Sequence, residues 1–171
     1  MMVALGEEHV VTMETLNHLG AKLNYNGEYE AAKKVWEGNL VVQETVFGEV
    51  HKTTLDSMMN LGSIYVKINP DKALEVYERA SKGYEILLEK NHPSRLMALT
   101  NLAECWMRRF DLDKAVELYQ TALVAYEAQF GPDYRQCSFC AVNICRILRC
   151  YKKKDFGAGG EVWRRSGEGV Q

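Results

Sequence analysis

Four cysteines crowd one short stretch of this 171-residue chain: Cys137, Cys140, Cys145 and Cys150. Thiolates in that number can hold zinc, and Cys137-x-x-Cys140 has the spacing of a redox pair. The stretch reads as a helix, however. At 100° per residue the four side chains leave the axis at about 0°, 300°, 80° and 220°, so they cannot converge on one tetrahedral ion. No strand precedes the pair to give it a redox setting. Small apolar core cysteines are the favoured reading, with a thiol or metal site on this helix as the alternative. His9, His51 and His92 recur at intervals of 42 and 41 residues. A catalytic histidine would not repeat, so these mark helix starts or joints. "GAGGE" at 157–161 has glycines but no preceding strand and no Lys-Ser/Thr to hold a phosphate. There is no nucleophile elbow and no HExxH. The expectation is a protein without enzymatic chemistry and without a cofactor.

Composition narrows the class. Apolar residues make up 47% and charged residues 26%, the formal charge is −2, and the pI is about 6.1. Nucleic-acid binders are usually strongly basic, so nucleic acid is not expected as a partner. No run approaches the roughly 18 apolar residues of a membrane helix, and "MMVALGEEHV" lacks the regions of a signal peptide. Five cysteines, an odd number, suit a reducing compartment, so the expected location is cytoplasmic. Helix formers dominate between only three prolines, which predicts an all-α chain.

The elements that position any site repeat. His9, His51, His92 and Tyr134 take equivalent places at intervals of 42, 41 and 42. A helical pattern then closes on Leu19-Gly20, Leu61-Gly62, Leu102-Ala103 and Ile144-Cys145, with Leu23, Tyr65, Trp106 and Leu148 three residues on. After a short turn comes a second helix carrying Ala32, Ala73 and Ala115, followed four residues later by Trp36, Tyr77 and Tyr119. The residue missing from the middle unit falls in the turn "KINP", where deletion leaves both helix registers intact. The pattern predicts helices over about 11–25, 28–46, 52–67, 71–90, 94–109, 112–130 and 135–151. Small residues at the crossings let two helices approach, and large aromatics fill the space beside them. The fold class is therefore all-α: a right-handed α-solenoid of antiparallel helix hairpins, about three and a half repeats. Its expected organisation is 1–8 as the end of a joint or a truncated preceding repeat, then an array over 9–151 (9–50, 51–91, 92–133 and a partial 134–151). A Gly-rich, poorly ordered tail over 152–171 closes the chain.

"LGxxL…GxYxxAxxxW", "LGxxY…KALEVYxxA" and "LAxxW…KAVELYxxA" resemble tetratricopeptide repeats. The 42-residue spacing, the joint words "LGEEH", "FGEVH" and "FGPDY", and an asparagine just before the apolar anchor resemble the long repeats of kinesin light chains. The resemblance spans about residues 5–151 and implies a groove lined by the first helix of each hairpin.

An asparagine stands in equivalent places at Asn60, Asn101 and Asn143, while His18 breaks the series in the first hairpin. On one helix Asn60, Asp56, Ser63 and Lys67 fall within about 60° of one another. The equivalent faces carry Met97, Asn101, Glu104 and Arg108, then Asn143, Arg146 and Arg149. An amide offers a donor and an acceptor in one plane, as a peptide bond does, so a ladder of them can pair with the backbone of an extended peptide. The resemblance implies that part for Asn60, Asn101 and Asn143. The alternative is that the amides cap or bridge neighbouring helices. Lys67, Arg108, Arg146 and Arg149 suggest a ligand with acidic character. The functional expectation is a protein- or peptide-binding scaffold or adaptor. The rival is a structural piece that acts by stacking and self-association through uncapped ends.

Overall fold

The computed structural model describes residues 10–155, which form seven α-helices. They are α1 Val10–Tyr25, α2 Tyr29–Phe47, α3 Lys52–Ile68, α4 Pro70–Leu87, α5 Pro93–Arg108, α6 Leu112–Phe130 and α7 Arg135–Asp155. Each start is written into the sequence. His51 and His92 stand at N-caps, where each Nδ1 accepts from the backbone N–H two residues on, at 3.3 Å from Thr53 and 3.2 Å from Ser94. That answers, on each helix, one of the groups left unpaired at its start. Asn69 caps α4 by accepting from Lys72 N at 3.2 Å, and Pro70 follows at N1, where its missing N–H costs nothing. Only α4 stops clearly short of the sequence expectation, at Leu87 rather than 90. Leu88 is extended (φ −123°, ψ 150°), and residues 88–91 turn the chain toward the His92 cap. His9 and the tail residues Gly157, Val162 and Trp163 lie outside the described residues.

Helices pack against their chain neighbours as antiparallel hairpins α1–α2, α3–α4 and α5–α6, with α7 laid against α6. The alanines Ala32, Ala73 and Ala115 are fully buried, and Trp36, Tyr77 and Tyr119 beside them are at most 2% exposed. A large buried aromatic removes about 150–250 Å² from water. At about 25 cal/mol per Å² that is several kcal/mol for each hairpin before the entropy of ordering is set against it. The crossings need the small residues. A methyl group added at Gly62 would fall 2.4 Å from Tyr77 Cε1, and one at Gly20 2.6 Å from Trp36. In the third hairpin Ala103 fills the same place, fully buried.

The first hairpin departs from the others in its core. Where the second and third carry Ala80 and Tyr84, then Ala122 and Tyr126, it carries Asn39 and Gln43. Asn39 Nδ2 donates to Met13 O at 3.0 Å and to Asn17 Oδ1 at 2.9 Å, and Ser57 Oγ donates to the same Asn17 oxygen at 3.1 Å. Gln43 is fully buried, and neither end of its amide meets a partner among the described residues.

Candidate functional site

α1 and α3 lie side by side, joined by the bonds Ser57–Asn17 and Lys67 Nζ–Asn24 Oδ1 (3.3 Å), and α5 and α7, the equivalent helices further along, wall one pocket. Their outward residues form columns that run across the repeats. One column reads Glu14, Asp56, Met97, Phe139, and the next His18, Asn60, Asn101, Asn143.

The asparagine column is not uniform. Asn60 is exposed and Asn101 half-buried, and neither amide has a hydrogen bond among the described residues. Asn143 is only 4% exposed. Its Nδ2 donates to Phe139 O at 3.0 Å, and its Oδ1 accepts from Arg146 Nη1 at 3.0 Å. Two amides of the ladder thus face outward uncommitted, and the third is occupied within its own helix. His18 is exposed, in line with Asn60.

The flanking charges are partly spent. Lys67 lies 4.1 Å from the centre of the Tyr29 ring. Arg108 pairs with Glu104 at 2.8 Å, and Lys52 with Asp56 at 2.6 Å. Asp56 also accepts from Tyr84 OH at 2.5 Å. Ser63 Oγ turns back to Asn60 O at 2.6 Å, which leaves the Asn60 amide free. By contrast Arg135, Arg146 and Arg149 on α7 are exposed and form no ion pair among the described residues. The positive charge left over gathers at the α7 end.

Between α5 and α7 the face opens into a pocket of about 330 Å³, rimmed by Asn101, Met97, Phe139 and Arg135. Met97 and Phe139 are 47% and 45% exposed, so this end of the first column is apolar where its beginning is acidic. Sequence reasoning named Asn101 but passed over Phe139 and Arg135. The signal was there in the column, which changes from Glu14 and Asp56 to Met97 and Phe139.

The cysteines divide. Cys137 and Cys140 are buried, and burial pushes the Cys140 thiol up to about 11. Cys105, also buried, rises to about 11 for the same reason. Such thiols are poor nucleophiles at neutral pH. Cys145 and Cys150 are exposed, against the expectation of core positions, because no helix covers that side of α7 among the described residues. No group of three or more His, Cys, Asp or Glu among the described residues is placed to hold a metal ion.

Hairpins of this length, with alanine and aromatic columns in register, match models of the tetratricopeptide repeat over residues 11–86 and 95–133. The chain is a tetratricopeptide repeat protein. Its fold is that of a kinesin light chain-type repeat structure from Podosopora anserina, with a TM-score of 0.76 at 20% identity over 89% of this chain and 72% of that one. It is also similar to PcrH from Pseudomonas aeruginosa in complex with the chaperone binding region of PopD. That likeness has a TM-score of 0.64 at 18% identity, over 88% of this tetratricopeptide repeat chain and 99% of PcrH. The human Tetratricopeptide repeat protein 19, mitochondrial, is 29% identical over 116 residues, 67% of this chain. The match spans 30% of that relative's length. These likenesses show the fold. No helix among the described residues is long and apolar enough to cross a membrane.

Proposed function

We propose that the chain is a non-enzymatic adaptor that holds an extended peptide along the α1–α3–α5–α7 face, in kinesin light chain-like fashion. The observation that carries this reading is the pair Asn60 and Asn101, whose amides look outward without an internal partner. Each would exchange hydrogen bonds with a ligand peptide group, a net gain of about 0.5–1.5 kcal/mol apiece. The pocket beside Asn101 would take an apolar side chain between Met97 and Phe139. Arg135, Arg146 and Arg149 favour acidic residues toward α7, and His18, Ser63, Lys67, Glu104 and Arg108 complete the face. Asn143 serves as a spacer that orients Arg146 rather than as a third clamp. The PcrH complex supports the idea that a shell of this fold receives a peptide region. Ordering an extended ligand costs entropy, so binding is modest. The test is a peptide-array screen of the wild type beside Asn60→Ala/Asn101→Ala, with folding of both checked by circular dichroism. Extended acidic peptides are expected to bind the wild type and to lose about tenfold on the double variant. Equal binding to both would assign the asparagines a structural part.

A second reading rests on α7, which exposes Val142 (58%) and Leu148 (44%). Stacking of copies through this face would appear as a mass that rises with concentration in light scattering. Five free cysteines keep a reducing compartment, and so the cytosol, as the proposed setting. Fractionation against a mitochondrial marker tests that placement.

A further inference from the structure

On the opposite side of the repeats, two successive grooves that should be alike are not. In the groove bounded by α2, α3 and α4, Arg79 bonds Glu44 at 2.7 Å and lies 3.8 Å from Glu49. There α4 also sits close on α3, since a methyl group added at Gly83 would fall 2.4 Å from Leu55 Cδ2. One repeat later, Thr121 stands in the place of Arg79, Ala125 in that of Gly83, and Val124 in that of Lys82. Thr121 turns its hydroxyl to Glu117 O at 2.9 Å, so nothing plugs the groove. Ala125 carries the methyl group that the earlier crossing excludes. The result is a cleft of about 620 Å³ walled by Leu96, Leu99, Leu118, Val124 and Ala125. Val124 is 66% exposed. At its mouth Arg95 is held at long range only, 3.4 Å from Glu85 and 3.5 Å from Leu88 O, and its Nε–H has no acceptor among the described residues. Charge-assisted bonds usually close to about 2.7–2.9 Å.

We propose that this cleft is a second protein-docking site, and that its occupant is an amphipathic helix bearing an acidic residue. Its length along α6, from Leu118 to Ala128, is about 15 Å, or roughly three helical turns. The walls are helices whose backbone groups are spent internally, and the surface they expose to the cleft is mostly apolar, although polar and charged side chains also line it. An extended segment would find few partners there for its peptide groups, and a buried peptide group without one is costly. A helix satisfies its own backbone and offers apolar side chains at i, i+3, i+4 and i+7. The loosely held Arg95 guanidinium, with Lys90 beside it, selects a carboxylate one turn from that apolar face.

The test is selection of a phage-displayed library of amphipathic helices on the whole chain, followed by affinities of the selected peptides. Selected peptides are expected to carry an Asp or Glu one turn from paired apolar residues. Thr121→Arg, which restores the plug of the earlier groove opposite Glu85, is expected to weaken them at least tenfold with circular dichroism unchanged. Val124→Asp acts likewise, and Asn60→Ala/Asn101→Ala has no effect, which separates this cleft from the asparagine face. Replacing the peptide's acid by its amide lowers affinity about threefold to tenfold. Failure to select any helix, or affinities indifferent to both Thr121→Arg and Val124→Asp, overturns the proposal. Indifference to the acid-to-amide change overturns the part given to Arg95.

Discussion

Raising the pH should unfold this protein abruptly. Tyr65, Tyr77, Tyr84, Tyr119 and Tyr126 are each at most 5% exposed. Burial holds all five hydroxyls above their ordinary value, and hydrogen bonds to the Glu37 and Asp56 carboxylates add to this at Tyr65 and Tyr84. In the unfolded chain the same groups ionise near pH 10. Above that pH the unfolded state sheds protons that the folded state keeps, so stability falls as pH rises. Each fully titrating group contributes a slope of about 1.4 kcal/mol per pH unit, and five together about 7. Cys105 and Cys140, raised to about 11, begin the decline earlier, near pH 9, and add nothing further above 11. Against a typical stability of about 5–15 kcal/mol, the fold should be lost within one or two units above pH 10. The assay follows tyrosinate absorbance and helical circular dichroism in one titration. The buried five should ionise only as the helix signal collapses. Ionisation of the buried five near pH 10, with the helix signal intact, would refute the reasoning.

Two glycines should answer oppositely to alanine. Gly62→Ala forces a methyl group onto the buried Tyr77 ring, an overpacking cost of about 1–3 kcal/mol set against a helix-propensity gain of about 1. Thermal melts should show a net loss of up to about 2 kcal/mol. Gly38→Ala, where the methyl group meets nothing within 4 Å, should gain about 0.5–1 kcal/mol. Gln43→Met removes a fully buried amide with no partner at nearly constant volume. Urea titration should show a gain of about 1 kcal/mol, and a loss of that size would reveal a hidden partner for the amide.

The hairpin architecture was legible because it is written several times over. Alanine, aromatic and small-residue columns recur at matching places, and a helix period shared by several segments leaves little room for another fold. The recurrence of Asn60, Asn101 and Asn143 at equivalent helix positions was legible for the same reason, but not that Asn143 differs from the other two. That residue closes on the Phe139 carbonyl because Arg146 stands one turn on to take its oxygen. The first-hairpin core was not read, since Asn39 and Gln43 are polar and only the structure shows them buried in the places of Ala80 and Tyr84. The α6 cleft was not read at all. It arises from differences between two repeats, Arg79 against Thr121 and Gly83 against Ala125, and a search for what repeats passes over what fails to.

Four of the bonds that tie one hairpin to the next each bridge roughly one repeat of chain. They span 43 residues for Lys67 and Asn24, 40 for Ser57 and Asn17, 38 for Arg109 and Asp71, and 35 for Arg79 and Glu44. Such a molecule behaves as a spring. Pulled by its ends, it can stretch by small slips at each seam, with the load passed from one hairpin to the next. A peptide lying across several seams would then act as a splint, stiffening the coil, and tension along the chain would in turn change how tightly that peptide is held.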